Sequence, residues 1–285
     1  MSRHLAAVGA AATCLTLTLT SCTPRGSDDD RPTVVAAFYP VQFLAETLGG
    51  DNLRVLPLAK PGAEPHDLEL SPRQVSDLAS ADLVLYQRGL QPAVDDALRS
   101  HDVARLDITE VVPLERADPH VWLDPVRFRT LAAGVAARLA GLHPAQAPAI
   151  GARAVALDAQ LGTLDEEFRT GLSDCARREL VTSHGAFGYL ASRYGLDQIG
   201  LTGLRPDAEV APRRLAEVAE YARKHGVTTI FFEELVSPRV AEQLAREVGA
   251  RTAILSPLES RPEQGDYLSA MRSNLATLRT ALTCQ

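Results

Sequence analysis

Short β-branched runs alternate with amphipathic helical segments along most of this chain, and that alternation predicts an α/β protein with parallel sheets. The runs are Val34–Phe38, Leu53–Leu58, Leu83–Gln87 and Arg105–Ile108, then Leu180–Thr182, Gln198–Leu201, Thr228–Phe232 and Thr252–Leu255. A short internal match points the same way. Residues 69–79 (ELSPRQVSDLA) align without gaps on residues 209–219 (EVAPRRLAEVA), each just upstream of the third strand of its half. Between the halves, Ala147–Leu172 keeps helical periodicity, interrupted only by Gly151 and Gly162. The expectation is two similar lobes, each a roughly four-stranded parallel sheet flanked by helices, joined by one long rigid helix. The alternative for the joining segment is a break at Gly162 into two ordinary helices.

The first 21 residues read as an address rather than fold. Arg3 and His4 give a basic start, Leu5 to Thr20 carry no charge, and Leu19-Thr20-Ser21-Cys22 resembles a lipoprotein signal-peptidase site. The run is shorter than the ~20 apolar residues that a membrane span needs, and it is rich in threonine. Cys22 is therefore expected to carry acyl chains, with residues 22–33 as a polar tether. The N-terminal lobe is expected over residues 34–143, the linking helix over 144–173 and the C-terminal lobe over 174–285. Helices such as Pro72–Ala79, Pro212–His225 and Pro238–Val248 open on Ser-Pro or Ala-Pro, where proline suits the first turn.

A net charge of −7 argues against nucleic acid as a partner. Of four cysteines, Cys14 leaves with the signal peptide and Cys22 is the lipid site. Cys175 and Cys284 remain, and an exported chain with one pair left is expected to join them in a disulfide. They lack the close spacing usual for zinc cysteines.

Three of the seven histidines follow predicted strands in rigid loops: His66 in PGAEPHDLEL, His120 in ADPHVWLDP and His184 in VTSHGAFGYL. Glu259 in LSPLES holds the same kind of position in the second half. Open α/β sheets bind ligands outside the carboxyl ends of their strands, so two facing lobes would gather all four into one cleft. Three imidazoles and one carboxylate suit a closed tetrahedral Zn²⁺ site. Glu69, Asp124 and Glu209 are candidates for the carboxylates that orient the histidines through their other ring nitrogens. Trp122, the single tryptophan, is expected to pack beneath the His120 loop.

The segments PGAEPHDLELSP, DPHVWLDP, TSHGAFGYLASRYGL and SPLES resemble those of the solute-binding lipoproteins of zinc and manganese ABC importers, the cluster A-I family. The likeness covers essentially the whole mature chain. It implies two α/β lobes joined by a rigid helix, with the metal between them and His66, His120 and His184 as the metal-binding histidines. Many members carry Asp at the position of Ser256. Here Ser-Pro-Leu-Glu matches instead the Asn-Pro-Leu-Glu of zinc-specific members, which points to Glu259; the alternative is water as the fourth ligand. The His-rich loop of many zinc-binding members is missing from Val111–Pro119.

The expected cargo is Zn²⁺, with Mn²⁺ less favoured because it prefers more oxygen ligands. Binding needs neutral imidazoles, so affinity is expected to fall as pH drops through about 6.5. The resemblance implies an ABC permease as partner and an extracytoplasmic place, lipid-anchored at the cell surface or the periplasmic face, for a monomer that is not an enzyme. A zinc hydrolase or lyase with a His₃-water site is the rival from another class, but the chain lacks HExxH and any G-x-S-x-G around Ser183.

Overall fold

The computed structural model describes residues 31–285, apart from Asp207 and Val236. The signal-peptide and Cys22 readings, and all but the end of the tether, lie outside these residues.

β1 (Thr33–Ala36), β2 (Arg54–Pro57), β3 (Leu83–Tyr86) and β4 (Arg105–Asp107) form a parallel sheet in the order β2-β1-β3-β4. β5 (Glu179–Thr182), β6 (Asp197–Gly200), β7 (Thr229–Phe232) and β8 (Arg251–Ile254) form a second, in the order β6-β5-β7-β8. The two sheets thus share one winding. The matched segments of the sequence hold equivalent places in it: α2 (Pro72–Ala79) leads into β3, and α7 (Pro212–His225) leads into β7. α2 starts on a full capping box between Ser71 and Gln74, which explains why its predicted boundary is sharp. β1 begins at Thr33, so the last residue assigned to the tether is already in the sheet.

α5 (Ala147–Gly171) runs unbroken through Gly151 and Gly162. Leu157, Leu161, Leu164 and Phe168 are buried at helical spacing on one face, and this stripe outweighs the weak helix propensity of the two glycines. α4 (Pro125–Leu142) lies alongside, tied by the fork of Arg129 on Asp158 at 2.7 and 2.8 Å. α9 (Tyr267–Leu282) packs against α5 as well, with Arg272 on Glu167 at 2.7 Å.

The main hydrophobic core does not stop at the lobe boundary. It includes Val35 of β1, Phe43 of α1 (Tyr39–Gly49), Phe128 of α4, Phe168 of α5, Leu190 of α6 (Gly188–Tyr194) and Met271 of α9. Phe128 stacks on Tyr267 at 4.2 Å between ring centres, so the first lobe and the last helix share aromatic packing. A smaller core lies behind the second sheet, where Val181, Val218, Ile230 and Leu244 meet. Leu180 and Val181 join different cores because successive strand residues face opposite sides. Cys175 and Cys284 form a disulfide across 109 residues, fastening the segment before β5 to the end of the chain.

Candidate metal centre

Four loops at the carboxyl ends of the two sheets bring His66, His120, His184 and Glu259 together. Their donor atoms all lie within 4.8 Å of one another. His66 follows β2, His120 follows β4, His184 follows β5 and Glu259 follows β8. All four are buried, with exposures of 5, 0, 0 and 2%.

The Nε2 atoms of His66 and His120 lie 3.1 and 2.9 Å from Glu259 Oε1, and that of His184 lies 3.7 Å from it. His184 Nε2 and His120 Nε2 are 3.4 Å apart. A tetrahedral ion with bonds near 2.0 Å sets its ligands about 3.3 Å apart, and these spacings bracket that value. Glu259 Oε2 is buried without a protein hydrogen-bond partner. Two of the rings are oriented from behind. His120 Nδ1 donates to Asp118 Oδ1 at 2.7 Å and His184 Nδ1 donates to Glu233 Oε1 at 2.5 Å, which turns both Nε2 atoms toward the cluster.

Those two carboxylates correct the sequence reading. Asp124 does not reach a histidine: its side chain caps α4 through Val126 N and Arg127 N and pairs with Arg193 at 2.5 Å. Glu69 and Glu209 are exposed. Asp118 and Glu233 take the orienting role because of where the backbone puts them. Asp118 lies two residues before His120, and its Oδ1 also accepts from the His120 N–H at 3.0 Å, closing a local turn. Glu233 directly follows β7, at the same sheet edge as the other site residues, and also accepts from Ser183 Oγ. That strand-end position is the signal that could have found it.

Local chemistry fixes each loop. The carbonyl of His184 accepts from Thr182 Oγ1 at 2.5 Å and from Gln198 Nε2 at 3.3 Å. Gly200 passes so close beneath that a Cβ there would lie 2.5 Å from Thr202 O and 3.0 Å from the His184 carbonyl carbon. Trp122 is fully buried next to the His120 ring, at 5.3 Å, as its neighbourhood in sequence suggests. Its indole N–H donates to Pro257 O at 2.8 Å, and its own carbonyl accepts from Tyr267 Oη at 2.5 Å, so it couples the His120 loop to the Glu259 loop. Gly62 N donates to Ser260 Oγ at 2.8 Å, joining the His66 loop to the same segment.

Burial favours a neutral Glu259, yet hydrogen bonds from His120, His184 and His66 outweigh it and hold the carboxyl well below its usual range. Burial likewise disfavours charged imidazoles, but bonds to Glu233 and Glu259 raise His184 to about 10, and bonds to Asp118 and Glu259 raise His120. Glu64, half-buried nearby, is pushed up to about 7 by burial and by the charge of Glu259. The cluster therefore favours an anionic carboxylate and holds protons on imidazoles that a metal ion would have to displace.

The model of the family described as zinc-uptake complex component A, periplasmic (ZnuA), matches residues 34–281. The zinc-binding protein AdcA of Streptococcus pyogenes serotype M1 is 34% identical over 283 residues, covering 86% of this chain and 55% of that protein. The chain thus spans about half the length of such curated relatives. The high-affinity zinc uptake system protein ZnuA of Bacillus subtilis is 31% identical over 289 residues, covering 90% of this chain and 91% of that protein. The Zn(II)-bound ZnuA-like domain of Streptococcus pneumoniae AdcA superposes with a TM-score of 0.77 at 35% identity, over 88% of this chain and 99% of that domain. On this match, which runs from β1 into α9, the chain belongs to the ZnuA family, that of zinc-uptake complex component A.

Proposed function

We propose that this protein captures Zn²⁺ outside the cytoplasmic membrane and delivers it to an ABC permease for uptake. One observation carries the reading: three imidazole Nε2 atoms converge on one buried carboxylate, 2.9 to 3.7 Å from its Oε1. His66, His120, His184 and Glu259 are then the metal ligands, with Asp118 and Glu233 orienting two of the rings. A donor set of three nitrogens and one oxygen favours Zn²⁺ over Mn²⁺, which takes more oxygen ligands. The relatives named as zinc-binding or zinc-uptake proteins support the same cargo.

The family is one of transport components, and the site supports a carrier rather than an enzyme. Four protein donors complete a tetrahedron and leave no place for an attacking water. The nearby carboxylates Asp118 and Glu233 are engaged on histidines rather than poised as bases. The Leu19–Cys22 sequence supports a chain lipidated at Cys22 and tethered at the cell surface or the periplasmic face through the segment ending near Thr33. The lobes are read as residues 34–143 and 174–285, with 144–173 between them.

The test is a metal competition titration of the full chain in detergent, stripped of metal beforehand. One tight zinc site, little displaced by Mn²⁺ and weakened in Glu259→Ala, is expected. Preferred Mn²⁺ binding would overturn the cargo, and zinc binding indifferent to the substitution would put water in the fourth position.

A further inference from the structure

The segment carrying Glu259 is held in an unfavourable conformation by residues with no part in the metal set. Leu258, 1% exposed, has φ +57°, in the left-handed region that favours glycine. Such a conformation persists only where its surroundings enforce it. The three residues before Glu259 are each fastened. Asn274 of α9 grips Ser256 from both sides: Oδ1 accepts from Ser256 N at 3.0 Å and Nδ2 donates to Ser256 O at 2.7 Å. Trp122 Nε1 donates to Pro257 O at 2.8 Å. Leu258 N donates to Ser256 Oγ at 3.3 Å.

Asn274 is only 3% exposed, deep for an amide side chain, and a carboxamide is the group that can give and accept one hydrogen bond each on a single residue's backbone. An aspartate in its place keeps the acceptor and loses the donor. Behind the loop lies a cavity of about 910 Å³ lined by Glu233, Ser256, Pro257, Glu259 and Asn274 among others. Glu259 thus lies between the histidines and this cavity, on a backbone held by those fastenings.

We propose that Asn274 is a positioning residue for the cargo: by fixing Ser256 it keeps Glu259 on the histidines, and so sets how long the ion stays bound. This rests on the reading of Glu259 as a Zn²⁺ ligand. Glu259 is the ligand that departs first, turning toward the cavity, while the three histidines stay in their loops.

The experiment uses the full chain in detergent as wild type, Asn274→Ala, Asn274→Asp, Glu259→Ala and the Asn274→Ala/Glu259→Ala double variant. Zinc release into excess chelator is followed by stopped flow, affinity by competition, and site geometry by the visible spectrum of the Co²⁺ form. Asn274→Ala is expected to release zinc about 10-fold faster, the size usual for losing a group that orients a ligand. Its Co²⁺ bands should weaken as the carboxylate leaves the tetrahedral set, and Asn274→Asp should fall between it and wild type. In the double variant the Asn274 substitution should add nothing to the loss from Glu259→Ala, because it acts through that carboxylate. Wild-type release rates and spectra in both Asn274 variants would overturn the proposal, as would additive effects in the double variant. If Asn274→Ala does not fold, Asn274→Asp carries the same test. Zinc binding unchanged in Glu259→Ala would instead remove the ligand reading itself, and this inference with it.

Discussion

Glu259 meets three imidazoles in a space closed to solvent, and hydrogen bonds from them hold its carboxyl well below the usual range. Replacing it with alanine should weaken zinc binding by at least about 10-fold, since a lost ligand should cost no less than a lost orienting group. Glu233→Gln should cost about 10-fold for the second reason alone, and a chelator competition assay measures both. The pH window follows from the same contacts. His184 is raised to about 10 in the metal-free protein, so at neutral pH it carries a proton that zinc must displace. Protonated imidazole competes with the metal, so affinity should keep rising with pH well above the value near 6.5 expected for a free imidazole. Titration calorimetry at pH 7.5 in two buffers of different ionisation enthalpy should register at least about one proton released per zinc, and no release would contradict this. The four clustered side chains were legible because each stands just past a strand in a loop stiffened by Pro, Gly or Trp. The orienting carboxylates were not. Sequence suggested Glu69, Asp124 and Glu209, whereas Asp118 stands nearer His120, the helix cap claims Asp124, Glu69 and Glu209 are exposed, and Glu233 arrives from a different strand end.

Elements place these residues through their ends. β6 must finish on Gly200 because the His184 loop crosses directly over it, and a Cβ there would press on the backbone of Thr202 and His184. Gly200→Ala should therefore lower zinc affinity as well as stability, by displacing an imidazole it does not touch through its own side chain. A variant with lowered melting temperature but unchanged affinity would contradict that. The Cys175–Cys284 disulfide closes 109 residues, and chain entropy assigns it about 4–5 kcal/mol. Its removal in Cys175→Ser/Cys284→Ser should lower the melting temperature by roughly 10 °C and leave the metal site unchanged, the site being formed by other loops. Strand positions and most helix starts could be read from periodicity and from Ser-Pro or Ala-Pro openings. The continuity of α5 through two glycines is decided by packing: its buried leucine stripe lies against α4 and α9, which periodicity suggests but propensity alone opposes.

At the scale of the molecule, the two sheets have the same strand order, and the one aligned segment in the sequence already hinted at that duplication. What the sequence did not disclose is how fully the halves are fused. One core passes from β1 through α4 and α5 into α9, and Trp122 and Gly62 reach across to the Glu259 loop. Cargo exchange should accordingly involve loops rather than wide opening of the lobes. Small-angle scattering should find radii of gyration for metal-free and zinc-loaded protein within about 1 Å of each other, the scale of motion in preorganised binding. A change of several ångströms would mean a hinge. The central claim, a closed carrier site of three histidines and one glutamate, is tested most directly by a crystal structure of the zinc-loaded protein with data at the zinc absorption edge. One ion is expected, held by His66, His120 and His184 through Nε2 and by Glu259, with no water bound to it. An ion bound by the three histidines and a water, with Glu259 turned away, would contradict it.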